Sequence, residues 1–403
     1  MFIIILSNVA CALGKGDVFM RFGAYYYDTW YKKTPQWTDR LLGEFSGREP
    51  LWGWLSDSVE SMEKQIDYAV GGGLDFWAFD WYYPEMKDED FIPAKEALAE
   101  LEKTGFIKSK NSDSSYYREP NYALERFFNS KNCDKLNFCL LVANHDGHHG
   151  SWLLKNDRWE DACEYFIHYM SKPNAVKVDG KPLIIIFNAD LMVDSMGGEE
   201  NVRKGLEYLH DLCVKKGLGG CVVAASFYAF RDSKDDVDKT PSLWKDYTVK
   251  LKNLGFDAVT GYNYSRHFRV DEKGNKFYEY PFDALSEDYE KIWEIMRENS
   301  VLPYMPAVNG GWDCRPWQTV WETFESVGQY MPDTCYSDDM SGEKLEKHVR
   351  KLEKFIDSNK DKCLSDLSVC YAWNELGEGG YIAPTKGKGD EYLKALKKVL
   401  CDK

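Results

Sequence analysis

The sequence predicts an α/β protein, a single-domain (β/α)8 TIM barrel with loop insertions, and three observations predict it. The chain has 403 residues, 44% of them hydrophobic, which suits one large core and is an ordinary length for such a barrel. Eight short apolar runs, at 22–27, 75–80, 137–143, 183–187, 220–226, 257–262, 302–307 and 367–373, alternate with helix-like segments, the pattern of a parallel sheet. The last run ends in Trp373-Asn-Glu-Leu-Gly-Glu-Gly-Gly-Tyr381, which sets Asn374, Glu375 and Glu378 among glycines. Chemistry in such barrels sits at the C-terminal ends of the strands, so those carboxylates fall where a barrel keeps its active site.

At the start of the chain, residues 1–12 join the apolar run 2–6 to Ala10-Cys11-Ala12, a small-residue cleavage form without a basic start, and read as the remnant of an export signal. The expected location is therefore secreted or periplasmic, with the barrel occupying 18–403. The first strand mouth offers Tyr26, Tyr27, Asp28 and Trp30, and the second Asp80, Trp81, Tyr82 and Tyr83. Residues 85–135, polar and rich in Ser, Asn and Tyr, read as an insertion. The third mouth carries Asn144, His145, Asp146, His148 and His149. Imidazoles and carboxylates are metal ligands, but this spacing fits no helix-borne motif, so hydrogen bonding is expected there and no metal or other cofactor.

The fourth mouth gives Asn188 and Asp190, and the sixth Tyr262, Asn263 and Tyr264. Asn263-Tyr-Ser265 matches a glycosylation sequon, but a mouth lined with ligand groups is a poor place for a glycan. A second insertion is expected at 266–282, with 271–275 as a hairpin tip. The seventh mouth carries Asn309, Trp312, Asp313 and Arg315. Leu345, Val349, Leu352, Phe355 and Ile356 then form one apolar helical stripe among Lys and Glu. The closing helix opens with Asp390 and Glu391 and ends with Lys397 and Lys398, matching the macrodipole.

Composition removes several functions. A formal charge of -15 repels phosphate backbones, and no basic block stands out, so nucleic acid is excluded as a partner. Every apolar run is broken too early to span a membrane. The 11 cysteines contain no C-x-x-C pair, which argues against a zinc ribbon or redox motif; Cys139, Cys221 and Cys370 fall inside predicted strands and read as buried thiols. Aromatics make up 15% of the chain. Nearly every mouth sets an aromatic beside an amide or carboxylate, the mixture that holds a polyhydroxylated ligand by stacking and hydrogen bonds.

Paired carboxylates at a strand end suit acid/base work on a glycosidic bond, where one donates a proton and the other stays ionised. The alternative is an acidic turn before a helix. The candidate catalytic pair is Glu375 and Glu378. The candidate substrate-binding set is Tyr26, Trp30, Asp80, Trp81, Tyr82, Asn144, His145, Asp146, Asn188, Tyr262, Asn263, Asn309, Trp312, Asp313, Arg315, Trp373 and Asn374.

Several segments carry a family resemblance: Ala24-Tyr-Tyr-Tyr27, Met62-Glu-Lys-Gln-Ile66 with Gly73-Leu-Asp-Phe-Trp77, Val178-Asp-Gly-Lys-Pro-Leu183, Gly255-Phe-Asp-Ala-Val259, Gly311-Trp-Asp313, and Ala372-Trp-Asn-Glu-Leu-Gly-Glu-Gly379. On these, residues 22–400 resemble the WbsX-like proteins related to the endo-α-mannosidases of glycoside hydrolase family 99. The resemblance implies that Glu375 acts as a base toward the sugar 2-hydroxyl, which attacks its own anomeric carbon, while Glu378 protonates the leaving oxygen. It also implies that Glu378 is poorly solvated and Glu375 ionised and hydrogen-bonded, by Asn374 or a tyrosine. The chain departs from endo-α-mannosidases in having Leu376 and Gly377 between the glutamates where they have Trp and His, and the glycine matches the WbsX-like branch.

The function expected is hydrolysis of a polysaccharide or oligosaccharide by a monomer, with retention and endo action. The alternatives are a glycosyltransferase of polysaccharide synthesis, which would want a phosphate loop that the sequence lacks, and a non-catalytic carbohydrate-binding barrel.

Overall fold

The computed structural model describes residues 20–402, apart from 29, 32–36, 84–90, 106–120, 148–149, 152–153, 228–240, 265–268, 271–272, 274–275 and 318–335. The expected export remnant at 1–12 lies outside the described residues. Strands β1 (Arg21–Tyr26), β2 (Phe76–Trp81), β3 (Asn137–Val142), β4 (Lys181–Ile186), β5 (Val222–Phe227) and β6 (Ala258–Gly261) pair in succession, all parallel. The last, β8 (Leu367–Tyr371), pairs back onto β1.

Between β6 and β8 stands a strand in two pieces. Tyr304–Met305 pairs with β6 and Ala307–Asn309 with β8. Pro306 separates them, and a proline has no N–H for a ladder bond, so the pairing changes sides at that residue. Counted as one strand, β7, the two pieces close the ring. The nine stretches make eight strands, and the fold is the (β/α)8 barrel expected.

An outer layer of helices covers the ring: α1 (Val59–Gly71), α2 (Ala94–Thr104), α3 (Tyr122–Asn129), α4 (Trp159–Met170), α5 (Glu199–Lys215), α6 (Pro241–Leu254), α7 (Phe282–Asn299), α8 (Gly342–Ser358) and α9 (Glu391–Leu400). Ser58 and Ser341 cap α1 and α8, their hydroxyls accepting from the N–H groups of Ser61 and Lys344. Leu345, Val349, Leu352, Phe355 and Ile356 are buried on α8 as their spacing predicts, with His348 among them. Helix α9 packs on α8 and α1. The 85–135 region supplies α2 and α3, and Phe127 of α3 packs on Trp77, Phe79 and Phe138, so it includes the cover of β2 and β3. In 266–282, Arg269–Val270 pairs antiparallel with Lys276–Phe277, as the flanks of a hairpin should. Cys139, Cys221 and Cys370 are buried free thiols. Among the described residues no helix is long and apolar enough to cross a membrane.

Candidate active site

Successive strand residues face opposite sides of a sheet, and that alternation sorts the candidate residues. On β1, Tyr25 points into the barrel, where its hydroxyl donates to the Gly261 carbonyl on β6 at 2.7 Å. Tyr26 points outward and donates to Gln65 of α1 at 3.0 Å. On β2, Asp80 faces inward, while the Trp81 ring packs on Tyr165 and Phe166 of α4. Past the end of β8, the Trp373 indole donates to Gln65 at 3.1 Å and packs on Trp77. The structure thus corrects three candidate sugar platforms, Tyr26, Trp81 and Trp373, which lie between barrel and helices. Tyr25 takes the inward position.

At the mouth, the two glutamates each meet a tyrosine. The Tyr262 hydroxyl donates to Glu375 Oε1 at 3.1 Å and lies 3.4 Å from Asp80 Oδ2. The Tyr371 hydroxyl donates to Glu378 Oε2 in a short contact. Burial first, and then the negative carboxylates around them, hold both phenols well above their ordinary range, so both stay protonated donors. Glu375 is 4% exposed and Glu378 half-buried. Ring contacts run from Tyr82 through His145, Phe187, Tyr262 and Tyr371 to Trp312, so the mouths of β2, β3, β4, β6, β8 and β7 share one aromatic wall.

The loop carrying the glutamates is shaped by glycine and held by arginine. A Cβ at Gly377 would overlap the Trp317 ring, and Gly379 has φ +72°, with Asp313 backbone where its side chain would go. Arg48, buried in the loop after β1, donates through Nη1 to the carbonyls of Leu376 and Asp313, each at 2.9 Å, and through Nη2 to the Asp313 carboxylate. Arg315 grips the same carboxylate at 2.8 and 2.9 Å, and the Asp313 N–H donates to the Glu378 carbonyl at 2.6 Å. Burial works against the Arg315 charge, but the hydrogen bond and charge of Asp313 outweigh it and raise its pKa. Asp313 and Arg315, expected to touch substrate, are occupied in bracing this loop.

The amides are occupied in the same way. Asn144 and Asn188 bond each other, Asn144 Nδ2 to the Asn188 carbonyl at 2.7 Å and Asn188 N–H to Asn144 Oδ1 at 3.0 Å, and Asn188 also caps a short helix, Ala189–Met196. Asn374 does not reach Glu375: it exchanges two bonds with the Tyr27 backbone, at 2.7 and 2.9 Å, and its carbonyl accepts from the Trp30 indole at 2.9 Å. Asn309 bonds Ser286 and the Gly311 N–H, while its own N–H meets His348 Nε2. These bonds stitch mouths together, because buried amides need partners. Asn263 hydrogen-bonds Tyr371 beside Glu378. Asp146 sits on a two-residue strand, Asp146–Gly147, paired with Gly150–Ser151. His148 and His149 lie outside the described residues. Asp80, Tyr82, His145, Tyr262, Asn263, Trp312, Glu375 and Glu378 are therefore the candidates that line or adjoin the mouth. Tyr25, Phe187 and Tyr371 were missed, although counting alternate residues back from the mouth finds Tyr25.

Such a mouth can take a polyhydroxylated ligand between two carboxylates of unequal burial and exchange protons with it. The family model described as Glycosyltransferase WbsX matches residues 118–396. No curated protein matches the sequence. Among solved structures, the GH99 endo-alpha-mannosidase from Bacteroides thetaiotaomicron superposes with a TM-score of 0.54 at 12% identity, covering 95% of this chain and 97% of that one. The same enzyme in complex with bis-tris propane gives 0.50 at 12% identity over the same shares. These likenesses show the barrel fold. A family 1 β-glucosidase from Thermotoga maritima lies further off, at a TM-score of 0.46 and 9% identity over 94% and 97% of the chains.

Proposed function

The chain belongs to the WbsX glycosyltransferase family, and from that premise we propose that it works as a glycoside hydrolase on a polysaccharide or oligosaccharide. One observation carries the reading: Glu375 and Glu378 stand at one barrel mouth, each bonded by a tyrosine hydroxyl. A hydrogen bond to a carboxylate favours its charged form, and both glutamates accept one from a tyrosine, so the division of roles follows the family resemblance, with Glu375 as the base. Glu378 takes the acid role at the more open position, which reverses the solvation the resemblance implies: Glu375, at 4% exposure, is the more buried of the two.

In the proposed reaction Glu375 takes the proton of the sugar 2-hydroxyl. The freed oxygen attacks the anomeric carbon as the bond to the leaving group breaks, and Glu378 gives its proton to the leaving oxygen. Water then opens the three-membered ring: Glu378 takes the proton of the water and Glu375 returns its own to O2. Two inversions give retention, without a sugar bound covalently to the protein, a variant of the two-carboxylate scheme. Endo action and an α-mannosidic linkage belong to this proposal.

A second reading, transfer of an activated sugar, is favoured by the family's description. The sequence lacks the glycine-rich phosphate loop such a donor wants. Screening α-mannans and bacterial surface polysaccharides for released oligosaccharides tests the main reading. Glu378→Gln is expected to cut turnover of natural glycans about a thousandfold while keeping affinity, and to regain rate on aryl glycosides, whose leaving group needs little protonation. Glu375→Gln should not be rescued. Equal rescue of both variants, or normal hydrolysis of a substrate lacking the 2-hydroxyl, overturns the assignment.

A further inference from the structure

The loop from β1 to α1 builds a second concave surface that the proposed reaction does not use. Trp30, Trp37 and Trp54 stand with ring centroids 6.0 to 6.2 Å apart. Trp52 lies parallel to Trp373, at 3° and 6.1 Å. Trp37, Trp52 and Trp54 are only partly buried. With Leu55, Glu60 and Lys64 they line a cavity of about 440 Å³, within the range of small-ligand sites. Apolar faces edged by hydrogen-bonding charged groups are the chemistry that takes a pyranose ring, with its C–H face on the indole and its hydroxyls at the rim.

The occupant is indicated by what stands behind the cavity. Trp30 and Leu376 belong to one apolar cluster, against which Trp37 and Trp54 pack. Leu376 follows Glu375, and the Trp30 indole donates to the Asn374 carbonyl. The loop that carries the glutamates thus packs, through Leu376, on the cluster that supports two of the pocket's tryptophans. We propose that this pocket is a carbohydrate-binding subsite that holds a sugar unit of the same chain whose glycosidic bond lies at Glu375 and Glu378. The proposal rests on the glycoside hydrolase reading for the direction of the chain, but its test reads binding alone.

Native gels containing yeast α-mannan or dextran give that test, run with Glu378→Gln so that cleavage does not intervene. The parent variant is expected to be retarded by at least one polymer. Adding Trp54→Ala should raise the dissociation constant about tenfold, the factor a well-stacked ring contributes. Leu55→Arg is the second probe: Leu55 is 41% exposed, so a long side chain there fills the cavity without disturbing the core. Retardation unchanged in both added variants overturns the proposal, as does no retardation of the parent by either polymer. A polymer held through the pocket but never cleaved by the wild type upholds the subsite and removes the hydrolase reading.

Discussion

At the mouth of β3 the chain runs Ala143-Asn-His-Asp146, and at the mouth of β8 it runs Trp373-Asn-Glu-Leu376. Each is an apolar strand ending in an asparagine beside an acidic or titratable residue. In each the asparagine is fully committed to a neighbouring loop, Asn144 to Asn188 and Asn374 to Tyr27. The two mouths differ in the residues beyond the asparagine. After Asn374 come a glutamate fixed by Tyr262, a glycine fitted against Trp317, and a backbone held by Arg48. After Asn144 the His145 ring leans on Tyr82 and Phe187, and the backbone beyond it pairs only with itself, Asp146–Gly147 antiparallel to Gly150–Ser151 among the described residues. A polar mouth becomes a candidate for chemistry when its neighbours immobilise the side chains that do the work.

The largest effect on this contrast should come from Arg48→Met. It removes three bonds at once and leaves Asp313 with Arg315 alone, which should cost about 3 kcal/mol in denaturant unfolding. Arg48→Lys should not restore it, because one ammonium does not reproduce a planar fork. A loss below about 0.5 kcal/mol, the scale of an ordinary surface change, would show the brace to be incidental.

Next come the two asparagines. Asn144→Ala and Asn374→Ala should each cost about 1 to 3 kcal/mol, since each leaves buried backbone groups unsatisfied. Only the change at Asn374 is expected to lower kcat as well. Equal losses of activity would make the two mouths equivalent and break the comparison.

The smallest effect is expected from Tyr262→Phe. The hydroxyl donates to Glu375 and so favours the ionised form; removing it raises the pKa of that carboxyl. If Glu375 works ionised, the acidic limb of the kcat/KM profile moves to higher pH. Activity then falls about tenfold on the acid side for each unit moved and little above it. An unmoved acidic limb would separate Tyr262 from the ionisation of Glu375.

Much of this was legible in sequence, for identifiable reasons. All eight strands were visible because a barrel strand buried on both faces is a nearly continuous apolar run. The break in β7 was not, because Pro306 lies inside such a run and only the pairing partners reveal that it divides two ladders. Glu375, Glu378 and Tyr262 were legible as mouth residues because polar residues at strand ends stand out. Tyr26 and Trp81 were placed at the mouth because three tyrosines in a row, or Asp beside Trp, hide which residue faces inward until a neighbouring strand fixes the register. Arg48 was invisible: its partners Asp313 and Leu376 lie 265 and 328 positions away, and no local pattern marks it.

The pairing of β8 with β1 also bears on assembly. Both carboxylates follow directly after β8, the strand whose pairing with β1 closes the ring. A chain cut short before residue 367 keeps seven strands and most of the aromatic lining, but the edges of β1 and Ala307–Asn309 that β8 covers stay bare. Such a fragment lacks both candidate carboxylates and, with open edges of that kind, is prone to stick to its neighbours. Closure of the ring and completion of the candidate site are therefore one event.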